Sequence, residues 1–240
     1  MSNMLRAVLF DVGNTLHHVD HAWIAACLGR HGYAATARDV AAAEYPAKAA
    51  MDEMFRARRA GNDATRQVPY LEIVLAQLGV EPARRAAIGE ALRDENVRHS
   101  LWRVQHDDTA EVLAALRARG LTLGVVSNAD GRVPAALERG GIAQHFAAII
   151  DSHLVGVEKP DPRIFQLALD ACGVRPEEAL FVGDIYEIDV AGARAAGMDA
   201  VLIDPLDLYG EVDCRRITAL RELLEIVSIW EPRMNTDEHR

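Results

Sequence analysis

The sequence predicts an α/β fold, a doubly wound parallel sheet carrying a second, all-helical unit, and three observations predict it. Short apolar runs alternate with amphipathic stretches along most of the chain, the pattern of a parallel sheet covered on both faces. Four polar positions fit for chemistry stand at or just after places where strands are expected to end: Asp11, the pair Ser127 and Asn128, Lys159, and Asp184. Residues 23–102, between the first run and the others, show helical patterning and no convincing strand.

Residues 5–10 are the first strand, an apolar run stopped by Asp11. In the helical stretch, Thr36 is placed as an N-cap with Asp39 three residues on, although a capping box more often uses Glu or Gln. Pro46 and residues 61–63 are expected breaks. Leu71, Val74, Leu75 and Leu78 share one helix face, Gly79 stops that helix, and Pro82 suits the first turn of the next. Val112, Leu113 and Leu116 form a stripe ahead of the strand at 121–126. Further strands are expected at 147–150, 180–182 and 200–203, with helices between them. Ile217, Leu220, Leu223, Leu224 and Val227 read as a final packing helix, and residues 231–240 as a loose tail.

Composition narrows the class. The 240 residues are enough for one large or two small domains with real cores, and 50% apolar with 26% charged residues describes an ordinary soluble globular protein. A net charge of −10 disfavours nucleic acid and anionic membrane surfaces, which need a basic footprint. The early apolar run is too short for a membrane span or the core of a signal peptide. Cys27, Cys172 and Cys214 are odd in number and in no metal-ligand spacing, so a disulfide framework is not expected and a reducing cytoplasm fits. The oligomeric state is left open by the sequence.

The four segments that carry the chemistry are Phe10-Asp11-Val12-Gly13-Asn14-Thr15-Leu16, Val126-Ser127-Asn128, Glu158-Lys159-Pro160-Asp161-Pro162, and Val182-Gly183-Asp184 with Asp189 five positions further on. In this order they resemble the four motifs of the haloacid dehalogenase superfamily of hydrolases, over roughly residues 5–228. That resemblance implies a Rossmann-like core from residues 1–16 and 106–240, with a helical cap at 17–105 that closes over the site. The chain crosses between the two near residues 16–20 and 105–108.

It also implies roles. Asp11 is the nucleophile that attacks phosphorus and forms an aspartyl-phosphate. Magnesium is held by the Asp11 side chain, the Gly13 carbonyl, Asp184 and, directly or through water, Asp189. Ser127 and Asn128 bind the substrate's phosphate, and Lys159 pairs with both nucleophile and phosphate. One departure stands out. Most phosphatases of the family read Asp-x-Asp in the first motif, with the second Asp as general acid/base, and here Gly13 takes that place. Dehalogenases, phosphonoacetaldehyde hydrolase and some sugar phosphatases also lack a carboxylate there, so Gly13 does not by itself decide the reaction.

The fourth motif bears on it more strongly, because Asp184 and Asp189 near a third carboxylate call for a cation, and magnesium favours carboxylates together with phosphate oxygens. The leading expectation is therefore a magnesium-dependent phosphatase acting on a small soluble phosphomonoester. Its alternatives are a dehalogenase-like or phosphonatase-like hydrolase, and a phosphate-binding regulatory domain with little turnover. His17, His18, Asp20 and His21 cluster on the segment entering the cap. They read either as a solvated polar loop or as the source of a histidine that replaces the missing proton donor. Thr15 is expected to brace the turn after Asp11, Asn128 competes as a helix cap, Asp189 as an N-terminal helix acid, and Asp161 and Arg163 as braces of the lysine loop. Trp23, Tyr45, Tyr70 and Trp102 are either core or pocket.

Overall fold

The first apolar run becomes strand β1, Ala7–Phe10, every residue of which is 0% exposed. The computed structural model describes residues 4–57, 63–205, 207 and 209–230, with the backbone alone for 63–68. Past Asp11 the chain turns at Asn14, whose φ of 56° is a left-handed conformation that asparagine tolerates better than most residues. A short strand, β2 (His17–Val19), leads into four helices, α1 (His21–Arg30), α2 (Ala37–Arg56), α3 (Asp63–Gln77) and α4 (Pro82–His99). Strand β3 (Trp102–Gln105) then pairs antiparallel with β2.

The remainder alternates as expected: α5 (Thr109–Ala118), β4 (Thr122–Ser127), α6 (Val133–Arg139), β5 (Ala148–Asp151), α7 (Ser152–Val155), α8 (Pro162–Cys172), β6 (Ala179–Gly183), α9 (Ala191–Ala195), β7 (Asp199–Ile203), β8 (Arg215–Ile217) and α10 (Leu223–Ser228). Six strands form one parallel sheet in the order β5-β4-β1-β6-β7-β8. From β1 the chain builds one side of the sheet through β4 and β5, and from β6 it builds the other. β1 and β6 are therefore neighbours at the switch point, where such sheets bind ligands at the carboxyl ends of their strands.

Side-chain alternation along the strands divides the core into two layers. Val8 and Phe10 pack with Val112, Leu113, Leu137 and Leu223 on one face, while Leu9 and Phe181 pack with Ile164, Phe165, Leu169 and Ala193 on the other. The insertion has its own cluster, built around Ile24, Leu28, Leu75, Ile88 and Leu92. Thr36 and Asp39 do form a reciprocal capping box, α3 ends just before Gly79 at φ +73°, and α4 begins at Pro82.

Four expectations need correcting or placing. The segment at 17–21 is no solvated loop: β2 and β3 make a ribbon at the base of the insertion, and His17 and Val19 are 2% exposed. Pro46 does not break the chain but lies inside α2, where Val40, Ala43, Ala47 and Met51 are buried on either side of it, so packing overrides the lost backbone donor. Ile217 belongs to β8, followed by a 3₁₀ turn at Leu220–Glu222 and only then by α10. Its spacing from Leu220 and Leu223 mimics a helix because all three fill the same core layer. Residues 61, 62 and 231–240 lie outside the described residues, and Asp63 opens α3.

Gly124 of β4 pairs with Leu9 of β1, and an added Cβ there would lie 2.7 Å from Leu9 Cδ2 and 3.1 Å from Cys172 Sγ. Gly124→Ala is therefore expected to cost about 1–3 kcal/mol of stability through overpacking. In a Leu9→Ala background, urea unfolding should show a smaller cost for the same change, because contacting sites are not additive. Equal costs in the two backgrounds would contradict this packing.

Candidate active site

Four chain segments deliver the site. β1 presents Asp11, β4 ends in Ser127, the loop after α7 carries Lys159, and Asp184 follows β6. Lys159 Nζ donates to Asp11 Oδ1 at 2.6 Å and to Asp189 Oδ1 at 2.7 Å, and its side chain is 1% exposed. Ser127 Oγ donates more weakly to the same Asp11 oxygen at 3.4 Å. Oδ2 of Asp11 is left on the side of Gly13.

Asp189 closes the arrangement from a single π-helical turn, Tyr186–Val190. Its Oδ2 accepts from the backbone N–H groups of Asp184 and Ile185, both at 3.0 Å, and folds over Gly183 so closely that a Cβ there would meet Asp189 Cγ at 2.3 Å. Glycine at 183 is thus a steric requirement of the carboxylate behind it. Asp189 is no N-terminal acid of a regular helix; it orders the Asp184 loop and the lysine together. Asn128 is likewise no helix cap. Its side chain accepts from Lys159 N at 2.7 Å and donates to Lys159 O at 2.9 Å, which fixes the lysine backbone to the end of β4. Asp161 caps α8 and pairs with Arg163, as expected of a brace. Thr15 is buried, but its hydroxyl makes no hydrogen bond among the described residues, so the turn after Asp11 is held by backbone bonds to Val12 O instead.

The electrostatics follow from burial. Asp11, Asp184 and Asp189 each offer an oxygen, and the three lie within 4.8 Å of one another. Desolvation pushes the Asp11 carboxyl up to about 7; the nearby Lys159 opposes this, while Asp189 and Asp184 add to it. Asp184 is raised for the same first reason, with Lys48 opposing. Burial would pull the Lys159 ammonium down, but Asp11 and Asp189 overcome it and hold it above its usual range. Three buried carboxylates gathered this closely fit a hard cation bound through oxygen.

Lys48, on α2 of the insertion, is a site residue that motif reading did not pick out. Its Nζ lies 2.8 Å from Asp184 Oδ2. Glu44, Lys48, Asp52 and Arg56 recur at four-residue spacing with alternating sign, so they share one helix face. That face docks on the core: Asp52 accepts from Glu187 N at 2.8 Å and Arg56 pairs with Glu187 at 2.9 Å. On the opposite side, Arg132 donates to the carbonyls of Asn96 and Val97 at the carboxyl end of α4, where a cation suits the helix dipole. The stripe is the signal that sequence offered, and its ordinary meaning would be a solvated helix face.

Between core and insertion lies a cavity of about 220 Å³, lined by Asp11, Gly13, Ser127, Asn128, Lys159, Asp184 and Asp189 from the core and by Lys48, Met51, Phe55, Tyr70 and Trp102 from the insertion. Of the four aromatic candidates, Tyr70 and Trp102 line it, Trp23 packs in the insertion's core, and Tyr45 lies beside a smaller pocket. His17, His18 and His21 do not line it among the described residues. His17 is buried against the Gly140 side of the core, His18 stacks on His21, and His21 bonds Glu44. None of these three histidines is a hydrogen-bond partner of Asp11, Lys159 or Asp184. No helix among the described residues is long and apolar enough to cross a membrane.

A family model for haloacid dehalogenase-like hydrolases matches residues 5–197. A bovine haloacid dehalogenase-like hydrolase domain-containing protein 3 is 35% identical over 213 residues, covering 85% of this chain and 84% of its own. The glyceraldehyde 3-phosphate phosphatase of Methanopyrus kandleri is 29% identical over 238 residues, covering 93% and 97%. Among solved structures, the HAD-hydrolase YfnB of Bacillus subtilis bound to magnesium superposes with a TM-score of 0.69 at 21% identity, over 94% of this chain and 100% of that one. That last likeness concerns the fold.

The raised pKa of Asp11 has a consequence for stability. A carboxyl group whose folded pKa exceeds its unfolded value stabilises the fold at low pH and loses that contribution as pH rises through the folded pKa. For Asp11 the loss falls between its ordinary value of 3.8 and about 7. Without metal, the melting temperature of Asp11→Asn should therefore fall less across that window than that of the parent protein. Parallel melting profiles would contradict the assignment.

Proposed function

The chain belongs to the haloacid dehalogenase-like hydrolases, and on that premise we propose that it is a magnesium-dependent phosphatase of small soluble phosphomonoesters. The observation that carries this reading is the trio Asp11, Asp184 and Asp189, whose oxygens lie within 4.8 Å of one another in a buried site. Lys159 and Lys48 offset two of these three carboxylates, a hard cation would offset the remaining charge, and a phosphate substrate completes magnesium's preferred oxygen shell. The relative named glyceraldehyde 3-phosphate phosphatase, similar over nearly its whole length, supports the same substrate class.

Asp11, Asp184 and the Gly13 carbonyl would hold the ion, with Asp189 direct or through water, and bound magnesium would offset negative charge on the transferring group. The rest of the chemistry belongs to the chain. Asp11 attacks phosphorus through the carboxylate oxygen not occupied by Lys159, the bond from phosphorus to the leaving oxygen breaks, and an aspartyl-phosphate forms. Lys159 stays on the other oxygen of Asp11 and balances charge that grows on the phosphoryl group. Ser127 and Asn128 donate to the phosphoryl oxygens. Water then attacks phosphorus and returns Asp11 as a carboxylate.

A dehalogenase-like reaction, with Asp11 attacking carbon, has Gly13 in its favour. The acidic pair Asp184 and Asp189 weighs against it, because that reaction needs no cation. Metal dependence separates the two readings. The purified protein should hydrolyse activated phosphomonoesters with magnesium and not in excess chelator, and Asp11→Asn should abolish turnover. Asp184→Asn should raise the magnesium concentration needed for half-maximal activity. Full activity in chelator, or release of halide from short haloacids without metal, would sink the phosphatase reading.

A further inference from the structure

The absence of a carboxylate at position 13 is not forced by the backbone. Gly13 has no positive φ, and an added Cβ would make only ordinary contact with Trp102, 3.5 Å from its Cδ1 and Nε1. The indole covers the place where an acid would stand. Tyr70 leans on that indole, with ring centroids 5.9 Å apart, and lines the same cavity as Asp11. The Tyr70 hydroxyl donates to Glu44 Oε1, and Glu44 Oε2 bonds His21 Nε2.

Glu44 is 5% exposed. Burying a carboxylate is expensive, and a similar-sized apolar residue would serve packing at least as well. His21, with 18% of its side chain exposed, stacks on His18, which in turn leans on His106. A continuous hydrogen-bonded path therefore leads from the cavity wall through a buried carboxylate to an imidazole that reaches solvent.

We propose that Tyr70, Glu44 and His21 form a proton relay that serves the leaving group and the attacking water in place of the carboxylate missing at Gly13. The inference rests on the phosphatase reading above. In the first half-reaction the phosphorus–oxygen bond of the substrate breaks, and the Tyr70 hydroxyl turns from Glu44 to the leaving oxygen and gives it its proton. Tyr70 is refilled from Glu44, and Glu44 from His21. In the second half-reaction the water that attacks phosphorus gives a proton to Tyr70, whose own proton passes to Glu44 and on to His21. One proton travels each way, the bond between phosphorus and Asp11 breaks with its electrons returning to the carboxylate, and His21 ends as it began. Burial, together with Glu44, holds the Tyr70 phenol well above its usual range, so a phenolate is disfavoured there and Tyr70 must regain a proton as it gives one up.

The test measures kcat/KM and burst kinetics with magnesium for aryl and alkyl phosphates, on the full chain, Tyr70→Phe and Glu44→Gln, with thermal melts confirming that each variant is folded. General acid catalysis typically contributes ~10²- to 10⁴-fold. Both variants should lose at least about 10²-fold in kcat/KM on alkyl phosphates and less than about 10-fold on aryl phosphates with acidic phenols, within that same range of effect. The aryl phosphates should also give a stoichiometric burst of phenol, because water attack has lost its base. Glu44→Gln keeps the Tyr70 packing and an acceptor for the Tyr70 hydroxyl but cannot carry a proton, so it separates relay from structure. Equal losses on both substrate classes, or no loss in either variant, would overturn the relay while leaving the phosphatase reading intact. If the parent protein hydrolyses no phosphomonoester at all, both fall.

Discussion

Everything at this site depends on one buried ammonium. Lys159 is 1% exposed and sits between Asp11 and Asp189 at 2.6 and 2.7 Å. Without it, β1 and the turn after β6 would present facing carboxylates in a dry environment. Removing one partner of such a buried pair typically costs ~3–5 kcal/mol, because the other charge is left uncompensated. The structure invests accordingly in holding the lysine. Asn128 clamps its backbone on both sides, and Asp161 caps the helix that follows it. Asp189, for its part, uses its second oxygen to order the amides of Asp184 and Ile185, which explains why position 183 must be glycine. One ammonium and two carboxylates thus hold the turn after β1, the lysine loop and the turn after β6 at a common point.

The helical insertion closes the site through charge as well as apolar packing. Lys48 reaches Asp184, Asp52 takes the amide of Glu187, and Arg132 of the core holds the carboxyl end of α4. The contacts are unequal. Arg56, which also pairs with Glu187, has 59% of its side chain exposed and is screened by water, whereas Lys48 and Asp184 are largely buried. Any cation that took Asp184 would compete with Lys48 for the same carboxylate. The contact between insertion and core is therefore linked to charge balance at the acidic trio.

Much of this was legible in the sequence, for a physical reason. A parallel sheet buries its strands as apolar runs and collects ligand-binding residues at their ends, so Asp11, Ser127 and Asp184 could be placed by local pattern. Other features were not local. β2 is three residues long with two histidines in it, and only its partner β3 makes it a strand. Pro46 reads as a break because the sequence carries the cost of a missing donor but not the packing that offsets it. Asp189 looks like a helix acid until its carboxylate is seen folded back on Gly183. Lys48 and Glu44 lie on a stripe that is ambiguous alone, since alternating charges four apart serve solvent, a core or an active site equally well. The loss of the acid at Gly13 was visible from the start, and what stands around that position depends on how β3 brings Trp102 across it.

On the proposed mechanism, Asp11 carries the phosphoryl group between the two half-reactions. The most direct measurement is acid-quenching the enzyme during turnover of a phosphomonoester with magnesium, followed by peptide mass spectrometry of the quenched protein. A phosphoryl group on the peptide containing Asp11, absent when the metal is chelated and absent from Asp11→Asn, is the result expected. Phosphate released with no phosphoprotein at any quench time, or a phosphoryl group on a different residue, would contradict it.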